Sequence, residues 1–113
     1  MASGKIDAKY PPLTEASVNS SVAGATDFAV TVYKIGNIAL CSYKIKYSSE
    51  IASGTNLFTL PYTPKKSLMV MIMDADGATG FPANIDGNGT VTAYNTLKAN
   101  KYYEGSFVYF ANA

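Results

Sequence analysis

Chemistry needs reactive side chains at workable spacings, and this chain offers few. It has no histidine, so the commonest general base and transition-metal ligand is missing. Its one cysteine, Cys41, lies in the apolar run Ile38-Ala39-Leu40-Cys41. With no imidazole to activate it, this thiol reads as a small buried hydrophobe. A single cysteine also excludes an internal disulfide and any zinc site of the usual Cys/His kind. No phosphate-binding glycine loop and no Gly-x-Ser-x-Gly elbow is present.

Two acidic, glycine-bearing stretches invite a calcium reading: Asp74-Ala75-Asp76-Gly77 and Asp86-Gly87-Asn88-Gly89. An EF-hand loop needs an oxygen ligand at its fifth position and Glu at its twelfth. Counted from Asp74 those positions hold Ala78 and Ile85; counted from Asp86 they hold Thr90 and Leu97. Both stretches therefore read as turns. Eight acidic residues could supply the two facing carboxylates of a glycosidase, but nothing in their spacing sets up such a pair. No enzymatic activity and no cofactor are expected.

Nine tyrosines remain. A tyrosine joins a flat apolar face to a hydroxyl, which suits sugar rings and protein partners, although strands also collect aromatics for packing alone. Tyr102 and Tyr103 are adjacent, so in a strand their rings point to opposite faces and one must look outward. The candidate ligand-binding residues are Tyr47, Asp74, Asp76, Tyr94, Tyr102 and Tyr103.

The elements that must position these residues are strands. Phe28, Val30 and Val32 alternate with Ala29, Thr31 and Tyr33, a period of two. Lys34-Ile35-Gly36-Asn37 reads as a tight hairpin turn. The next strand, Ile38 to Tyr47, carries Ala39, Cys41, Tyr43, Ile45 and Tyr47 on one face. Its other face starts apolar with Ile38 and Leu40 and ends polar, which predicts burial on both faces at its start. Ser48 to Asn56 is a loop with Ile51 as an inward anchor, and Leu57–Leu60 is a short strand stopped by Pro61. Leu68 to Met73 is apolar on both faces, which places it at the centre of a sheet or at a subunit interface. Asp74 to Pro82 reads as a loop, Asp86–Gly89 as a hairpin turn, and Thr90–Tyr94 and Ser106–Phe110 as returning strands. Six or seven strands and no long helix predict an all-β fold, an antiparallel β-sandwich or jelly-roll-like domain.

Residues 1–25 are poor in large apolar groups and read as an N-terminal arm or linker. They include an extended Tyr10-Pro11-Pro12, and Leu13–Asn19 reads as one helical turn. Residues 26–113 form the domain. No leader-like apolar core occurs at the N-terminus and no stretch approaches a membrane span, so production without a signal peptide is expected. The formal net charge is +1, from lysines without arginine. That argues against nucleic-acid binding, which needs a clustered basic patch. Charged residues are only 15% of the chain, a low fraction that suits either burial between subunits or a surface of Ser, Thr and Asn.

Four stretches in order carry a resemblance. They are Tyr33-Lys34-Ile35-Gly36-Asn37-Ile38, then Leu57-Phe58-Thr59-Leu60-Pro61-Tyr62-Thr63-Pro64, then Ile85-Asp86-Gly87-Asn88-Gly89-Thr90-Val91, and last Tyr103-Glu104-Gly105-Ser106-Phe107. From Tyr33 onward the chain resembles C-terminal head domains of tail-fibre, baseplate or receptor-binding proteins from phages of Gram-positive bacteria. The resemblance implies a homotrimeric β-sandwich or jelly-roll head in the virion tail tip. It would bind host cell-surface saccharide and join other tail or baseplate proteins through its N-terminal arm. The chain has no Trp, His or Arg, so no family binding residue maps onto it one by one.

Overall fold

The computed structural model describes residues 12–76 and 79–112. Every regular element among them is a strand: β1 (Leu13–Val18), β2 (Ala25–Ile35), β3 (Ile38–Tyr47), β4 (Asn56–Thr59), β5 (Leu68–Met73), β6 (Gly80–Ile85), β7 (Thr90–Ala93) and β8 (Tyr103–Phe110). They form two antiparallel sheets of four, in the orders β1-β2-β3-β8 and β4-β7-β6-β5. The inner faces of both sheets share one apolar cluster, in which Tyr47, Phe58, Ile45, Leu57 and Ile72 are fully buried. The arrangement is sandwich-like.

Local sequence explains most of this. The β2–β3 hairpin pairs Ile35 with Ile38, leaving Gly36 and Asn37 as a two-residue turn. Gly36 has φ 58°, and glycine at the first turn position matches the twist of the flanking strands. In the β6–β7 turn, the Asp86 carboxylate accepts the backbone N–H groups of Asn88 (2.9 Å) and Thr90 (3.0 Å). Leu57 and Phe58 are adjacent yet both buried, because the β4–β7 register shifts between Asn56 and Phe58. Ile51 anchors its loop as expected, exchanging two 2.9 Å backbone bonds with Leu97.

Four expectations need correction. Leu13–Val18 is no helical turn but a strand paired along its length with β2, so the first sheet begins before Thr26. Its Thr14, Ala16 and Val18 alternate with Leu13, Glu15 and Ser17, a period of two that also fits a strand. The preceding residues, Tyr10 and Pro11 included, lie outside the described residues. Secondly, Gly80-Phe81-Pro82 belongs to β6 rather than to a loop. Pro82 is tolerated one step beyond the last β6–β7 pair, Ala83 with Ala93, where its carbonyl still accepts the Tyr94 N–H (3.0 Å) and its missing N–H falls at the end of the ladder.

Thirdly, β5 is an edge strand, not a central one, and Met69 and Met71 face outward, about half exposed. Its outer edge is instead stitched to the first sheet. The Tyr43 hydroxyl donates to the Met71 carbonyl (3.1 Å) and accepts the Met73 N–H (2.8 Å), and Asp74 bridges to Tyr103. Fourthly, Ile38 and Leu40 are exposed rather than buried. The first sheet has solvent on its outer face, and cross-strand register lines up two rows there. Leu13, Ile35, Ile38 and Phe110 make one row; Glu15, Tyr33, Leu40 and Val108 make the next.

Candidate functional site

Asp74 and Ala75, just past β5, meet the start of β8. Asp74 donates its N–H to the Thr79 carbonyl (2.9 Å), and Ala75 donates to the Tyr102 carbonyl (3.2 Å). The 95–101 segment is held opposite by buried Leu97 and by the Asn100 N–H donated to the Tyr47 carbonyl (2.7 Å). Asn100 has φ 57°, a left-handed conformation that asparagine adopts readily. These constraints open a polar cleft of about 300 Å³. Asp74, Asn95, Thr96, Lys98 and Lys101 line its rim, with Thr79, Gly80, Phe81 and Tyr103 completing the wall.

The Asp74 carboxylate dominates the cleft. It pairs with the Lys101 ammonium at 2.6 Å and accepts the Asp76 N–H at 2.9 Å. Lys101 first, and the Asp76 N–H second, hold its pKa below the usual carboxylate value, and the same bond raises that of Lys101. Asp74 is thus an ionised acceptor rather than a proton donor, and it is the one carboxylate among the described lining residues. The Tyr103 ring forms part of the wall, packed edge to face on Phe81 with centroids 5.8 Å apart. Its hydroxyl is occupied by the Lys98 N–H (2.9 Å). What the cleft offers is a set of hydrogen-bond donors and acceptors suited to a hydroxyl-rich molecule.

The six nominated residues do not form one site. Asp74 and Tyr103 meet at the cleft, and Asp76 adjoins it through its turn. Gly77 and Ala78 lie outside the described residues. Tyr94 is half exposed beside Asn95, while its N–H donates to the Pro82 carbonyl (3.0 Å). Tyr47 is a correction: it is buried in the core, its hydroxyl shared with Ser20 at 2.8 Å, and leaves no surface to a ligand. Tyr103 is likewise mostly buried, and contributes wall rather than an exposed stacking face. Tyr102 points to the outer face of the first sheet. Its hydroxyl donates to Asp27 (2.9 Å), and the Lys44 and Lys46 ammoniums lie 4.9 and 4.6 Å from its ring centroid. Tyr102, just before β8, and Tyr103, its first residue, thus diverge to opposite faces.

Sequence reasoning missed Asn95, Thr96, Lys98 and Lys101. Their only advance signal was that they share the polar stretch Asn95–Glu104 with the nominated Tyr103. No protein-family model matches the chain, and a comparison with curated proteins finds no match.

Proposed function

We propose that the chain is a non-enzymatic recognition head that takes a hydroxyl-rich ligand, host cell-surface saccharide, in the cleft around Asp74. The observation that carries this reading is the cleft's composition. An ionised carboxylate, two ammoniums, an amide and two threonine hydroxyls line it, while no second carboxylate stands among the described lining residues to complete a hydrolytic pair. The resemblance to phage receptor-binding heads supports the same assignment. With it come a place in the virion tail tip, a homotrimeric jelly-roll-like build, and attachment to neighbouring tail or baseplate proteins through the N-terminal segment. Eight strands shared equally between two sheets are compatible with that build.

The test is titration of the whole chain with cell-wall glycan fragments, alongside Asp74→Asn and Asn95→Ala variants. Loss of a charge-assisted hydrogen bond lowers affinity at least about tenfold, or ~1.4 kcal/mol. Unchanged binding by both variants overturns the site. Turnover of the glycan overturns the non-enzymatic reading. A second reading is a structural tail, baseplate or decoration module without ligand. The exposed apolar rows of the first sheet favour it, and absence of binding to host cells selects it.

A further inference from the structure

We infer that a second copy of this chain covers the outer face of the first sheet at the Leu13–Phe110 end. The inference rests on the oligomeric part of the reading above and not on the cleft, so either can fail alone.

The two apolar rows hold seven large side chains, with Phe110 67%, Leu13 60% and Val108 59% exposed. Together they leave on the order of 600 Å² of surface, at the top of what the largest patch on a monomer reaches. That is most of the roughly 800 Å² that each partner contributes to a standard interface. The next row inward is Ser17, Thr31, Ser42 and Ser106, so small hydroxyls border the apolar centre as a polar rim borders an interface core. One acidic group, Glu15, enters the second row, and only at the β1 edge. No like charges would therefore meet at the centre of a self-contact.

Shape identifies the occupant. Across β1, β2 and β3, Leu13, Tyr33, Ile35, Ile38 and Leu40 line an open apolar hollow of about 270 Å³, room for one aromatic side chain. One strand beyond it, opposite Ile38 on the same face, Phe110 projects as the most exposed large apolar residue. A surface that carries both knob and hole is complementary to itself, and symmetric assembly then repeats the contact in every copy. Other tenants, such as an unrelated apolar protein or residues 1–11 of the same chain, would need only the hole.

Light-scattering mass of the full chain at micromolar concentration tests this. We expect a multiple of the chain mass, with Leu40→Lys and Val108→Lys monomeric at unchanged circular dichroism. Met69→Lys, between Leu40 and Val108 in exposure but on the edge strand of the second sheet, stays assembled. Carbene footprinting of the unmodified chain gives an answer even where a variant fails to fold: Leu40, Val108 and Phe110 become protected as concentration rises. A monomeric wild-type chain overturns the inference. So does an oligomer that survives both lysines, dissociation by Met69→Lys, or protection that does not change with concentration.

Discussion

Replacing Tyr43 with Phe removes one oxygen and, with it, a two-bond polar tie between the two sheets. The hydroxyl makes two bonds to the backbone of β5, at 3.1 and 2.8 Å. Each such bond contributes about 1 kcal/mol net. Water can reach part of this edge, since Met71 is half exposed, and it would partly replace the lost partner. The expected cost is therefore about 1–2 kcal/mol. For a domain near 100 residues that lowers Tm by about 4–16 °C. Urea denaturation measures the free energy, and hydrogen exchange at the Met73 amide measures the local opening. Gly105 supplies an internal check. It lies directly opposite Tyr43 in the β3–β8 pairing, and a Cβ there would sit 2.7 Å from the Tyr43 hydroxyl oxygen. Gly105→Ala should therefore destabilise the wild-type chain more than the Tyr43→Phe variant, with an interaction of at least about 0.5 kcal/mol. A Tyr43→Phe change below about 0.5 kcal/mol with Met73 exchange unaltered would refute the argument that this hydroxyl holds β5.

Gly89→Ala should cost about 1–2 kcal/mol, because φ 86° is strained for a residue with a Cβ and the added carbon would meet the Leu60 carbonyl oxygen at 3.1 Å; thermal unfolding reads it. Burial pushes the Cys41 thiol up to about 12, so a disulfide reagent at neutral pH should label it only as fast as the chain unfolds, and rapid labelling of folded protein would contradict the packing. The Asp74–Lys101 pair contributes above the ordinary carboxylate pKa, about 4. It is lost as pH falls through the lowered folded value. A carboxyl NMR titration should show a depressed Asp74 midpoint, which Lys101→Met moves back upward.

The fold class was legible in the chain because strand signals are local. Alternation in β2, β3 and β8 follows from a two-residue period, and Gly36 and Asp86–Gly89 mark turns by conformations few residues accept. Two of the nine described lining residues of the cleft were legible too, since Asp74 and Tyr103 were singled out by their types. What could not be read was which apolar face meets which neighbour. Ile38, Leu40 and the methionines of β5 have the composition of core, yet they lie on an outer face and an outer edge. Burial is set by sheet order, and sheet order depends on pairings between residues far apart, such as β3 with β8. For the same reason Lys101 reached Asp74, and Tyr47 turned inward to Ser20, only once the strands had stacked. Periodicity fixes which side chains share a face; only the tertiary structure decides whether that face meets protein or water.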